Sequence, residues 1–380
     1  MDLYRHHRFS LSLIIVTVVT SVIFWNIFYL KLTPLLGFPK STLETIFANY
    51  DGPNYMAISK CGYQKSCLSS SFSLPQPGEY YPAHLPGYPI LIKFFDLFTT
   101  GPKAMLLTTL LGSVFLSIAS FKFFRIYLKP KKAFWLSLLL LFLPARLFVL
   151  RQVGAPEAWF LGSILASIFY FKKKKYFISA LFAALAQLFK SPGILLFGAY
   201  FLMAAYELFF KKRNLKNLIK KYFSYLLVPV TILGIFYFYY LQTGDFWAYF
   251  HSGDNFHLTL LPYQIFISTR SWINTIWLED VIYILLLAFL GVYFLFRKKK
   301  ISIVTIFPAL YLLATVFVAH RDISRYLAPI YPFLFLAFQK VLIQKYFKVI
   351  FFLILPAILL YGINFVIGNT APIADWTPYL

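Results

Sequence analysis

The chain has 380 residues, of which 60% are apolar and only 13% charged. Soluble globular domains run at about 45–50% apolar and about 25% charged, so this composition excludes a water-soluble enzyme and a disordered chain, and it indicates a polytopic membrane protein. Lys and Arg number 36 against 13 Asp and Glu, a formal charge of +23. In a soluble chain that excess would suggest nucleic acid. In a membrane chain it reads as topology signals and contacts to anionic headgroups, and no nucleic-acid partner is expected. No segment has the composition of a detachable soluble domain, so residues 1–380 read as one integral membrane domain.

A spanning helix needs about 20 apolar residues. Eleven segments approach that pattern: 10–30, 104–124, 133–150, 156–171, 176–189, 193–210, 222–241, 279–296, 301–319, 327–339 and 349–367. The expected fold is therefore an all-α bundle of about 11 transmembrane helices. The segments 176–189 and 327–339 are short, which suits tilted or buried helices. With the N-terminus on the cytoplasmic side, 24 of the 36 cations fall in inner loops, and 11 of the 13 acidic residues fall on the outer half. That alternation follows the positive-inside rule. The first span follows Arg5-His6-His7-Arg8 and lacks a small-x-small cleavage site, so it reads as an uncleaved anchor. The absence of an Asn-x-Ser/Thr sequon favours a prokaryotic cell membrane.

The inner loops are short and almost purely basic, which places the chemistry outside. The first extracytoplasmic loop, 31–103, is the longest polar stretch. It carries Tyr50-Asp51-Gly52-Pro53-Asn54-Tyr55, then Ile58 to Tyr63, a Ser/Pro-rich linker over 66–79, and Tyr80-Tyr81-Pro82-Ala83-His84-Leu85-Pro86-Gly87-Tyr88-Pro89. The apolar run from Ile90 to Phe98, interrupted by Lys93 and Asp96, is too short to span and suits a helix lying in the interface. Asp51 admits two readings: a cap for the helix that Gly52-Pro53 opens, or an embedded functional carboxylate, expensive at membrane depth and therefore purposeful. Cys61 and Cys67 lie in the same loop, as a disulfide in an oxidising compartment or as two separate thiols.

Further along, Glu157 opens a span where a carboxylate also suits the helix dipole. Lys190 and Arg151 are outer cations against the positive-inside trend, fit either to cap and touch headgroups or to hold a phosphate. Asp245, Asp254 and His257 stand among Trp247, Tyr249 and Phe256 in the 242–278 loop, a pattern that fits sugar binding and an interfacial aromatic belt alike. Arg321 and Arg325, four apart, would share a helical face, beside His320 and Asp322. No Asp-x-Asp, His-x-x-x-His or Cys cluster occurs, so no cofactor is expected and metal dependence is left open. No Gly-rich phosphate loop occurs either, which argues against an ATP-driven transporter.

These segments resemble a family. The run Tyr50-Asp51-Gly52-x-x-Tyr55-x-x-Ile58-x-x-x-Gly62-Tyr63 is similar to the Trp-Asp-x-x-x-Tyr-x-x-Ile-Ala-x-x-Gly-Tyr pattern of GT-C membrane glycosyltransferases, specifically the glycosylphosphatidylinositol mannosyltransferase II (PIG-V type) family and its prokaryotic relatives. The element Tyr80-Tyr81-Pro82 to Tyr88-Pro89 resembles that family's Phe-Phe-Pro-x-Tyr-Pro. Pro156-Glu157-Ala158, Leu188-Phe189-Lys190-Ser191-Pro192-Gly193, Gly244-Asp245 to His257, and Ser324-Arg325-Tyr326 with Pro329 resemble later family elements in the same order. Tyr50 stands where the family has Trp, and Lys190 where it has Arg.

The resemblance implies a GT-C-like bundle whose activity is the transfer of a hexose, mannose in this family, from a polyprenyl-phosphate carrier to a lipid-linked or glycan acceptor at the extracytoplasmic face. It implies Asp51 as general base in a single inverting displacement. Tyr50, Tyr55, Tyr81, His84, Glu157, Lys190, Asp245, His257, Arg321 and Arg325 are the candidate substrate-binding residues. The expected partners are the polyprenyl-phosphate sugar donor, the glycolipid or glycan acceptor and the lipid bilayer. The competing expectation is a transporter or flippase for lipid-linked saccharides. Such a protein would show internal repeats and polar or Gly/Pro-broken spans, whereas these spans read as largely uninterrupted, with unusual residues gathered on one face.

Overall fold

The computed structural model describes residues 2–49, 51–73, 76–253, 257–267, 278–298 and 301–380, with side chains from residue 8 onward. Among the described residues the chain is built from helices without a β-sheet; two isolated bridges, Asn49 with Thr370 and Leu258 with Val318, are its only extended pairings. The helices are α1 (Asp2–Tyr29), α2 (Leu43–Phe47), α3 (Gly52–Cys61), α4 (Lys65–Ser71), α5 (Gly87–Asp96), α6 (Gly101–Arg125), α7 (Pro130–Leu140), α8 (Ala145–Leu150), α9 (Glu157–Lys172), α10 (Tyr176–Phe189), α11 (Ile194–Phe209), α12 (Leu215–Tyr222), α13 (Leu227–Thr243), α14 (Ala248–His251), α15 (Glu279–Lys298), α16 (Ile303–Thr315), α17 (Ile323–Tyr326), α18 (Tyr331–Ala337), α19 (Gln339–Leu342) and α20 (Lys345–Gly368).

Six helical stretches among the described residues are long and apolar enough to cross a membrane: Arg8–Tyr29, Gly101–Arg125, Ser191–Phe209, Leu215–Thr243, Glu279–Lys298 and Lys345–Gly368. Shorter apolar helices, including Tyr176–Phe189 and Ile303–Thr315, fill the bundle between them. Every one of the eleven expected segments has a helical counterpart, but among the described residues only six of these are long enough to cross, and two of the others are broken. The segment 133–150 is broken into α7 and α8 at the cis Leu143–Pro144 bond; proline has no N–H for the helix ladder and clashes with the preceding turn. The segment 327–339 becomes a 3-10 turn (Ala328–Ile330) followed by α18, with Pro332 to Ala337 all buried. Pro329 and Pro332 open two short pieces, and the all-round apolarity reflects burial in protein rather than contact with lipid. The reading of uninterrupted spans is thus corrected.

The packing centre is α6 against α9 and α9 against α10. Small residues let α6 and α9 approach, as in membrane bundles generally. A Cβ on Gly112 would stand 2.6 Å from the Trp159 ring, and Trp159 donates its indole N–H to the Thr108 carbonyl at 2.9 Å. Since α9 starts at Glu157 and α10 ends before Lys190, both residues stand at one end of the bundle and the Lys172–Lys175 turn stands at the other.

The first loop folds onto the Glu157 end. The Ser/Pro-rich stretch is not wholly a linker, because α4 occupies Lys65–Ser71 with Leu68 buried. Cys61 and Cys67 are joined in a disulfide that ties α3 to α4. As expected of 90–98, α5 is amphipathic: Tyr88 and Ile92 face inward, while Ile90, Phe94, Leu97 and Phe98 at and beyond its end are exposed.

Candidate active site at one end of the bundle

Asp51 occupies the N-cap position of α3, yet its side chain makes no cap hydrogen bond. Gly52-Pro53 supplies the helix start without it, since proline's fixed φ suits the first turn and its missing N–H needs no partner. The carboxylate instead faces two basic groups. Its Oδ1 lies 3.6 Å from His84 Nε2, and its Oδ2 lies 3.6 Å from an Arg325 guanidinium nitrogen. The chain just before it is pinned to the end of α20: the buried Asn49 amide donates to the carbonyls of Val366 (2.8 Å) and Asn369 (2.6 Å), and Ala371 N–H donates to the Ala48 carbonyl at 2.8 Å. Just after Asp51, Gly52 meets Gly154, where an added Cβ would stand 2.8 Å from the Gly52 Cα. The carboxylate therefore sits on a turn fixed from two sides.

His84 is buried and held by its backbone and its ring. Tyr63 donates its hydroxyl to the His84 carbonyl at 2.6 Å, and Tyr239 donates to the Pro82 carbonyl at 2.9 Å. The ring stands edge-on to Tyr55 and against Tyr80, with centroids 5.0 and 5.3 Å apart. Tyr55 in turn contacts Tyr88 at 5.0 Å, whose hydroxyl shares a 2.5 Å hydrogen bond with Thr109.

Glu157 is the hub. It is 3% exposed, and its Oε1 accepts from Lys190 Nζ at 2.7 Å and from Arg325 Nε at 2.7 Å, while its buried Oε2 has no hydrogen-bond partner. Two cations that could have been snorkelling or headgroup contacts are thus drawn together by one carboxylate oxygen, and each retains some exposure: 25% for the Lys190 side chain and 16% for Arg325. Glu157 and Asp51 balance Lys190 and Arg325 in charge.

The electrostatics follow from this geometry. Burial by itself would push the Asp51 carboxyl up, but the His84 hydrogen bond and charge, then Arg325 and Lys190, outweigh it and hold the group well below the usual carboxylate range. Burial pulls the Lys190 ammonium down from its ordinary value against the opposing pull of Glu157. Burial, then the Asp51 charge, raises the Tyr55 phenol, so Tyr55 is a hydrogen-bonding neutral group here.

The structure thus brings together Asp51, Tyr55, His84, Glu157, Lys190 and Arg325, from α3, the loop before α5, the start of α9, the α10–α11 link and α17. His257 lies beside them in chain packing, its ring 4.7 Å from His320 and 6.3 Å from Tyr326, because the 257–259 segment pairs with 317–319 through Ala319 N–H to the His257 carbonyl at 2.7 Å. Burial pushes the His320 imidazole down to about 3, so that ring is neutral. Three residues stand apart. Tyr81 is buried in the 3-10 turn Gly78–Ala83 and interacts with Tyr379. Asp245 is exposed, pairs with His251 at 2.7 Å and accepts from the Trp247 N–H. Arg321 is exposed and precedes α17, so it does not share a helical face with Arg325; Asp322 begins that helix instead. Tyr50 and Asp254 lie outside the described residues. Arg151 is fully buried and donates to the Leu141 carbonyl, facing away from the surface. Among the described residues no group of three or more His, Cys, Asp or Glu is arranged to hold a metal ion.

Sequence reasoning passed over Arg146, a charge two residues after Pro144 inside an apolar run. An ionisable residue in such a run is itself a signal of function. Its Nε donates to both Asp322 oxygens at 2.9 Å.

The helical bundle, with six stretches long and apolar enough to cross a membrane and its loop-borne polar cluster at one end, defines an integral multi-pass membrane protein. A solved structure with this fold is the crystal structure of ArnT from Cupriavidus metallidurans bound to undecaprenyl phosphate: TM-score 0.56, 14% identity, covering 86% of this chain and 59% of that one. The chain thus spans about three fifths of the length of that neighbour. No family model matches the chain, and no curated protein matches it.

Proposed function

We propose that the protein is a glycosyltransferase that moves a hexose, mannose in the first instance, from a polyprenyl-phosphate carrier to an alcohol on a lipid-linked or glycan acceptor at the extracytoplasmic surface. The observation that carries this reading is the convergence of a partly exposed carboxylate, Asp51, with two cations that a buried glutamate holds side by side. The GT-C-like fold, the likeness to a protein bound to undecaprenyl phosphate and the PIG-V-like run around Asp51 support it.

In this mechanism Lys190 and Arg325 receive the donor's phosphate. A lipid phosphate leaving group accumulates negative charge as the glycosidic bond breaks, and fixed cations stabilise that charge. Asp51 takes the proton of the acceptor hydroxyl as its oxygen attacks the anomeric carbon, and one displacement inverts that centre. His84 orients the carboxylate, and Tyr55 offers a neutral hydroxyl beside it. While it is paired with His84 and Arg325, Asp51 is a weak base, because both stabilise its anion. A phosphate that draws Arg325 toward itself loosens that pairing and restores basicity to Asp51 when the donor is in place.

The test is transfer by the purified protein in bilayers. With polyprenyl-phosphate mannose labelled in the sugar and a glycolipid acceptor, label is expected to move to the acceptor with inversion. A donor panel reads the sugar preference. Absence of transfer with every polyprenyl-phosphate hexose would end the proposal.

A further inference from the structure

Two chain segments frame Arg325: 146–157, which runs from α8 to the start of α9, and 322–325, which opens α17. They are joined twice, with the charges exchanged. Arg325 of the second segment donates to Glu157 of the first at 2.7 Å, and Arg146 of the first donates to both oxygens of Asp322 of the second at 2.9 Å. The second joint is enclosed, with side-chain exposures of 7% for Arg146 and 11% for Asp322. The Arg146 guanidinium lies 3.5 Å from the centre of the Phe365 ring and hydrogen-bonds the Tyr361 hydroxyl, so α20 supplies the platform on which it rests.

Asp322 is not a cap by its side chain; its backbone begins α17, with its carbonyl accepting from Arg325 N–H at 3.0 Å and Tyr326 N–H at 3.2 Å. Its own N–H donates to His320 Nδ1 at 3.0 Å. A carboxylate fixed at the start of a four-residue helix fixes the rotation and height of that helix, and hence the point from which Arg325 projects. Enclosed ion pairs are a costly way to hold two segments together, because well-packed apolar side chains would do as well. What such a pair adds is register.

We infer that Arg146 and Asp322 form a positioning pair that sets where the Arg325 guanidinium stands between Asp51 and Glu157, and so tunes recognition of a lipid-linked phosphate. The inference rests on the proposed function and extends it to residues outside the substrate's reach.

The probe is undecaprenyl phosphate, titrated against the full chain in detergent with the melting temperature followed in parallel. Removing one partner alone would strand an enclosed charge, so the working variant is the paired change Arg146→Gln with Asp322→Asn. Its affinity for the lipid is expected to fall about ten- to hundredfold, the range for a displaced supporting group. The same paired change made in an Arg325→Lys background is expected to cost little more than Arg325→Lys alone, since the pair acts through that guanidinium. A merely structural pair would lower affinity equally in both backgrounds, and that result, or wild-type affinity in the paired variant, overturns the inference. Should the paired variant fail to fold, the charge-exchanged chain (Arg146→Asp with Asp322→Arg) takes its place: recovered affinity supports the positioning role, and lost affinity with an intact melt overturns it. Failure of the wild-type chain to bind the lipid at all would instead defeat the functional reading, and the positioning role with it.

Discussion

Two regions of this molecule offer a carboxylate, a histidine and several aromatic rings within a few residues of one another. Around Asp51 those groups come from five separated parts of the chain, and the hub glutamate is 3% exposed. Around Asp245 they come from one turn: the carboxylate is 38% exposed, its histidine partner 65%, and its other hydrogen bond goes to its own neighbour's backbone. The ingredients are the same, but only around Asp51 do distant segments bring them together. Exposed pairs are screened and contribute little. In the Asp51 region the two cations are drawn together by one buried carboxylate oxygen. Convergence from distant segments on a buried hub distinguishes a candidate site from a surface pair.

The sharpest way to break that contrast is to remove the groups one at a time. Asp51→Asn is expected to lower turnover by about a hundred- to ten-thousandfold, the worth of a positioned base, whereas Asp245→Asn is expected to leave it within about twofold because its partner is local. Side-by-side initial rates decide this, and equal losses at both positions would erase the distinction.

Next in size are the cations. Arg325→Ala and Lys190→Met are each expected to reduce kcat/KM by about a hundredfold, as for loss of one donor to a developing anion. Glu157→Gln leaves both cations in place but unneutralised. It should lower the melting temperature along with activity, since it strands two partly buried charges. A kinetic loss with an unchanged melt would mean that Glu157 touches substrate rather than holding the cations.

The pH response sharpens the same comparison. Burial opposes but does not cancel the partners that lower the Asp51 and Asp322 carboxyls below their ordinary 3.8, with His84 and Arg146 respectively the chief contributors. A folded value below the unfolded one means that stability is present above about pH 3.8 and is lost as pH falls toward the folded value. The melting temperature should therefore decline in two stages: first below about pH 6.5, where the unfolded chain protonates His320 and the fold, which holds that ring down to about 3, does not, and more steeply below about pH 4 as the carboxylates protonate, with the second stage shallower in Asp51→Asn. An acid stage of the same steepness in Asp51→Asn as in the wild type would remove Asp51 from the pairing that lowers it.

The smallest effects belong to the periphery. Replacing Cys61 and Cys67 by serine removes a short bridge at a cost of about 2 kcal/mol at most, visible as a lower melting temperature with turnover at low temperature retained. Changing Lys173 and Lys174 to Gln, at the end of the bundle remote from Glu157, should shift stability by less than about 0.5 kcal/mol. A large kinetic effect there would move chemistry to the basic end.

How far the sequence reveals this arrangement depends on the range of the interaction. The helices are legible because twenty apolar residues and a basic turn are local signals, and their counterparts are present for every expected segment. Asp51, His84, Glu157, Lys190 and Arg325 are legible as unusual polar residues near helix ends. Their mutual pairing is a long-range fact that spacing does not encode. The same limit explains Arg321, where four-residue spacing suggested a shared face but Asp322 starts the helix after it. It also explains Arg146, absorbed into an apparent span that Pro144 divides, with a partner 176 residues away.

The central claim is that Asp51 shares its cations with a lipid phosphate rather than binding that phosphate itself. Undecaprenyl phosphate titrated against wild-type and Asp51→Asn protein tests it most directly. The account predicts that the wild type binds and that Asp51→Asn binds at least as tightly, because a repelling charge and a competitor for Arg325 are both gone. Weaker binding in Asp51→Asn would contradict it.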